Sequence, residues 1–117
     1  MFTIAAERCA FAALLLFAAG ARAQLQPDQL GLVVNDADPA SVALGAYYAQ
    51  LRSIPPDHIA HVRIPGKPHR LDAGAFSRLK EEIDRQLPAG ARAVLFAWTA
   101  PYAVECNSLT SAYTQGF

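Results

Sequence analysis

The chain reads as a three-layer α/β unit, a parallel sheet between helices with strand order 2-1-3. Three observations lead there. From Leu30 to Trp98 the hydrophobic pattern alternates strand, helix, strand, helix, strand, and such alternation implies parallel strands joined by right-handed crossovers. Leu30–Val34 and Ala91–Trp98 are apolar almost throughout, as strands covered on both faces are. Each intervening helix is preceded by an aspartate, Asp38 before Pro39 and Asp72 before Ala73, where a carboxylate can accept the unpaired N–H groups of a first turn.

The 117 residues are 53% hydrophobic with a formal charge of zero, which fits one globular domain and excludes a disordered tail. Nothing in the charge balance selects a polyanion, so no nucleic-acid partner is expected. The first 23 residues are of another kind. Arg8 precedes the apolar run Cys9–Ala19, followed by Gly20 and Ala21-Arg22-Ala23, the layout of a signal peptide cleaved after Ala23. The run is shorter than the roughly 20 residues of a membrane-spanning helix, so no transmembrane segment is expected after cleavage. The expected product is exported, periplasmic or extracellular, and spans residues 24–117 with a net charge of −1.

Gln24–Gln29 is a polar lead into the first strand, which ends at Asn35. Asp38 caps the first helix and Pro39 suits its first turn, where no intrahelical N–H bond is lost. Ile54-Pro55-Pro56 stops it near Arg52. Around that helix Val42, Gly45, Ala46 and Ala49 form a small-residue face for the sheet. Leu44, Tyr47, Tyr48 and Leu51 form a bulky face that calls for a second partner, since a helix apolar nearly all round is ordinarily buried.

Ile59–Ile64 alternates, with Ala60, Val62 and Ile64 on one face and Ile59, His61 and Arg63 on the other, so it belongs at an edge. Pro65–Arg70 reads as a loop. The second helix is expected over Ala73–Leu87, with Leu71 placed to staple onto Phe76, Phe76, Leu79, Ile83 and Leu87 as its core stripe, and surface pairs Lys80–Asp84 and Glu81–Arg85. Ala91–Trp98 is the third strand, and Thr99–Phe117 shows no clear element. A fully apolar third strand at the sheet's edge and an unpartnered helix face together predict an incomplete domain, residues 24–117 being its amino-terminal part and the missing carboxyl-terminal part its partner.

In such sheets ligands bind past the carboxyl ends of the strands. Asn35, Asp36 and Asp38 follow the first strand there, and Tyr102 and Glu105 follow the third, so these five are candidate ligand contacts. Asp36 and Asp38 could share a cation or divide nucleophilic and acid–base roles. Yet Asn35 occupies the strand end where haloacid-dehalogenase-type phosphatases place an aspartate. Helix capping and turn formation account for the same residues.

Cys106 with His69 would make a thiolate–imidazole pair. After loss of Cys9, Cys106 is also the single cysteine of an exported product, either reactive, buried and inert, or half of a disulfide. His58 and His61 lack a third ligand for zinc and read as surface histidines. Gly66-Lys67 lacks the upstream glycine of a phosphate loop, and no G-x-G-x-x-G follows the first strand. No metal site and no cofactor is evident.

The motifs N-D-x-D-P-x-S at Asn35–Ser41, Y-Y at Tyr47-Tyr48, R-x-I-P at Arg52–Pro55 and A-P-Y-x-V-E-C at Ala100–Cys106 resemble the amino-terminal part of a family of uncharacterised exported bacterial proteins whose chains run to several hundred residues. The resemblance implies a truncated chain and brings no established activity. A more distant similarity is to gingipain-like and caspase-like peptidases. Those place His after the third strand and Cys after the fourth, whereas here Thr99-Ala100-Pro101-Tyr102 follows the third, so the similarity implies architecture alone. Two functions follow as expectations: ligand binding or hydrolysis at the carboxyl ends of strands one and three, with Asp36, His69 and Cys106 as candidate catalytic groups, or a non-catalytic cell-envelope interaction module.

Overall fold

A computed structural model of the protein describes residues 24–116; the expected signal peptide lies outside the described residues. A 3-10 turn at Pro27–Gln29 leads into β1 (Leu30–Asn35), followed by α1 (Pro39–Arg52), a second 3-10 turn at Pro56–His58, and β2 (Ile59–Val62). Then come β3 (Arg70–Leu71), α2 (Ala73–Gln86), β4 (Ala93–Phe96), β5 (Ala103–Val104), β6 (Asn107–Ser108) and α3 (Leu109–Gln115). The main sheet has the order β2-β1-β4. Its strands are parallel, with Val34 opposite His61 on one side of β1 and Leu32 opposite Leu95 on the other. The α/β architecture and the 2-1-3 order are therefore those expected.

Side chains of β1 alternate between two apolar layers. Val33 joins Ala60, Val62, Phe76, Leu79 and Ile83 under α2, while Leu32 and Val34 join Ile54 and Ala97 on the α1 side. Ile83 is fully buried, and truncating such a side chain to alanine costs on the order of 2–5 kcal/mol. No helix among the described residues is long and apolar enough to cross a membrane.

Both caps form. Asp38 accepts from Ala40 N–H at 3.0 Å and Asp72 from Ala75 N–H at 2.7 Å. Leu71 and Phe76 are buried in one cluster, as a staple requires. Lys80 and Asp84 pair at 2.6 Å, whereas Glu81 and Arg85 form no ion pair.

The first helix departs from expectation. It meets the sheet through Ser41 and Gly45, with Tyr48 and Ala49 half-buried, and leaves Val42 and Ala46 exposed, while Leu44, Tyr47 and Leu51 are exposed as the unpartnered face was expected to be. The Asp38 cap sets the helix phase, and the row of residues four apart from Ser41 lies on β1. Gly45 is required there: a Cβ at that position would stand 2.5 Å from Val34 Cγ2.

Past β4 the chain is more ordered than its composition indicated. β5 pairs parallel with β3 and antiparallel with β6, forming a second small sheet, and Ser108 caps α3 by accepting from Ser111 N–H. Two-residue strands carry no periodicity of their own; register with a distant neighbour creates them.

Candidate functional site

At the carboxyl end of β1 the polar residues divide into those consumed by the fold and those left facing solvent. Asn35 is fully buried. Its Oδ1 accepts from Ile64 N–H at 2.8 Å and Ala37 N–H at 3.1 Å, its Nδ2 donates to the Ile64 carbonyl at 3.0 Å, and its own N–H donates to Ser41 Oγ at 2.9 Å. A side chain so engaged binds the end of β1 to the segment after β2, with both acceptor positions of Oδ1 used and no surface open to solvent.

Asp38 is 5% exposed and, besides capping α1, lies 3.2 Å from Lys67 Nζ. Desolvation works against its charge, but the hydrogen bond from Lys67, the Ala40 and Ser41 amides and the Lys67 charge outweigh it and hold the carboxyl below its ordinary pKa. Lys67 reaches Asp38 because Gly66 and Lys67 both take left-handed backbone, at φ 78° and 46°, turning the loop after β2 back over the helix start. That conformation is costly for a lysine.

Asp36 is the exposed member of the acidic turn. Its Oδ1 lies 3.0 Å from His61 Nδ1, across the β1–β2 boundary, and both side chains are more than a third exposed. With Nδ1–H donating to the carboxylate, a neutral ring carries its lone pair on Nε2. This is the pairing that orients a general base, but among the described residues no hydroxyl or thiol is bonded to the ring.

His58, expected at the surface, is buried, and its Nδ1 donates to the Leu30 carbonyl at 3.1 Å. It supports the start of β1 and is not available with His61 as a ligand pair. Among the described residues no three His, Cys, Asp or Glu side chains are grouped to hold a metal ion.

The residues after β4 sit on the small sheet. His69 stacks on Tyr102 with ring centroids 5.7 Å apart, and Tyr102 N–H donates to the His69 carbonyl at 3.0 Å. Glu105, at φ 50°, accepts from Ala73 N–H at 3.1 Å and so helps cap α2. Cys106 is an exposed free thiol. The register places His69 beside Tyr102, four residues before Cys106, and no hydrogen bond joins the imidazole to the thiol. Trp98 Nε1–H donates to the Pro101 carbonyl at 2.9 Å, closing the loop between β4 and β5.

A well-formed concavity lies elsewhere, beside β4. A groove of about 660 Å³ runs between the end of α2, β4 and α3, with Leu87, Ala91, Val94, Phe96 and Tyr113 among its walls. Tyr113 packs edge-on against Phe96 and donates its hydroxyl to Asp84 at 2.9 Å. Burial and the Asp84 carboxylate push the Tyr113 phenol above its ordinary pKa. Partial burial disfavours the Asp84 charge, yet its bonds from Lys80 and Tyr113 hold it below the ordinary range. Sequence patterning gave no sign of this groove, because one wall is the helix it did not register.

The two sheet edges are finished differently. On β2, the Gln86 carboxamide pairs with the His61 main chain as a strand would, accepting from its N–H at 2.7 Å and donating to its carbonyl at 2.8 Å. On β4 no strand among the described residues pairs with the outer side, and Leu95 is 38% exposed. No family model, curated protein or solved structure matches the chain.

Proposed function

We propose that this exported chain is a non-catalytic interaction module that binds a partner segment along the outer edge of β4. The contrast between a β2 edge closed by Gln86 and an apolar β4 edge left open beside a groove carries the proposal. Strand edges present rows of unpaired N–H and C=O groups that take up extended peptides. Proteins ordinarily blunt such edges with charge, and Ala93–Phe96 has none. The polar residues at the other candidate site point the same way: Asn35, Asp38 and Glu105 are engaged in holding elements together.

The test is fluorescence anisotropy of a labelled alternating valine–threonine heptapeptide with the full chain at nanomolar concentration. Saturable binding is expected, weakened at least about tenfold by Leu95→Lys, which places a charge on the exposed strand side chain. Val94→Pro, which removes an outward N–H, should act likewise, and Asp36→Asn should have no effect. Absence of binding by wild type that is monomeric at that concentration, or binding insensitive to both β4 variants, would sink the proposal.

The exposed Asp36–His61 pair favours a second reading, a small-ligand or hydrolytic site at the carboxyl ends of the strands. Calorimetric titration of Mg²⁺ or Ca²⁺ into the wild type and Asp36→Asn tests its metal-binding form; identical isotherms exclude it.

A further inference from the structure

We infer that the occupant of the β4 edge is a second copy of this chain, paired antiparallel through β4 about a two-fold axis normal to the sheet at Leu95; this rests on the docking role of β4 proposed above. The register carries the inference. Ala97 N–H donates inward to the Val33 carbonyl at 2.9 Å. Since main-chain groups alternate sides along a strand, Leu95 also faces β1, and the N–H and C=O groups of Val94 and Phe96 face outward.

An axis at Leu95 sets Val94 opposite Phe96 of the second copy and Leu95 opposite its own mate. Every outward group then has a partner: the two Val94–Phe96 pairs exchange both hydrogen bonds, and the Leu95 pair occupies the close, non-bonded position. Axes centred on Val94 or Phe96 instead leave outward groups of the four-residue strand unmatched.

Side chains agree with the same axis. A two-fold normal to the sheet brings like layers together. Leu95 is on the α1 side, opposite Leu32 in the ladder, and its exposed side chain would be covered by the second Leu95. On the α2 side, Val94 and Phe96 would form β-branched–aromatic cross-strand pairs, each worth roughly 0.2–1 kcal/mol.

Backbone pairing over four residues falls short of the roughly 1,200 Å² that a specific interface buries. The groove of about 660 Å³ beside β4, walled by Leu87, Val94, Phe96 and Tyr113, supplies further apolar surface. A net charge of only −1 on residues 24–117 sets little self-repulsion against the pairing. The product is a continuous six-stranded sheet whose two outer edges are both the β2 edges that Gln86 closes. Pairing therefore terminates at two copies.

Disulfide trapping tests this in the full chain on a Cys9→Ser, Cys106→Ser background. Non-bonded pairs stand about 4.5 Å apart at Cα, within disulfide reach, so Leu95→Cys should cross-link to a covalent dimer on mild oxidation. Val94→Cys, whose copies lie on a diagonal roughly 7–8 Å apart, should cross-link at least about tenfold less. Sedimentation equilibrium of the wild type should give twice the chain mass, falling to the monomer with Leu95→Lys. A wild-type monomer, or cross-linking as strong through Val94→Cys as through Leu95→Cys, overturns the inference. A monomer that still binds the valine–threonine peptide at β4 rejects the second copy but keeps the docking edge, whereas a monomer that binds no peptide rejects both.

Discussion

Gln86 and His61 meet side chain to main chain: one carboxamide satisfies both the N–H and the C=O of His61, at 2.7 and 2.8 Å. The sequence separation is 25 residues, so the C-terminal turn of α2 supplies what a neighbouring strand would. Gln86→Ala removes both bonds and reopens the edge. Because the site is exposed, the expected loss is about 0.5–1.5 kcal/mol, read as a lower urea midpoint. Light scattering on heating should rise more than that small loss accounts for, since an edge has been exposed. Unchanged scattering would show that the bonds do not protect β2.

Asn35 offers a sharper contrast between structural and ligand-binding roles. Asn35→Ala leaves the Ile64 N–H and carbonyl without their partners in a buried site, with an expected cost of about 2–4 kcal/mol in chemical denaturation. Asn35→Asp should be destabilising too, because an acceptor would then face the Ile64 carbonyl. A stability change under 0.5 kcal/mol would mean that water replaces the side chain, and a ligand role would have to be reopened.

Gly45→Ala weighs helix propensity against packing. Alanine favours the helix by about 1 kcal/mol, but its Cβ would stand 2.5 Å from Val34 Cγ2, and overpacking costs typically 1–3 kcal/mol. Net destabilisation is expected, with partial recovery when Gly45→Ala is combined with Val34→Ala in a double-mutant cycle. A more stable single variant would mean that α1 shifts away from β1 with little resistance.

The Asp38–Lys67 pair makes stability depend on pH. The folded carboxyl titrates below its unfolded value, so its contribution is present above the unfolded pKa, near 3.9, and is lost as pH falls through the lower folded pKa. Urea midpoints measured from pH 6 to pH 2 should therefore show the wild type losing its advantage over Asp38→Asn below about pH 4. Parallel profiles across that range would remove the pair from the account.

The parts of the molecule legible in the residues are those with short-range causes. Apolar runs mark β1 and β4, alternation marks β2 as an edge, and Asp38 and Asp72 mark the helix starts; capping and hydrophobic period act over a turn or a few residues, so they are written locally. Their alternation with helices was enough for the 2-1-3 order. The same local signs marked Asn35, Asp36 and Asp38 as a polar cluster at a strand end without dividing their roles. That division comes from contacts 25–29 residues apart: Asn35 with Ile64, Asp36 with His61, and the loop that returns Lys67 to Asp38. Each depends on parallel register, in which a one-residue slip reverses every side chain. The β5–β6 hairpin, and α3 with the groove it helps form, arise in the same way, from two-residue strands and a seven-residue helix too short to hold a conformation without the surface on which they pack.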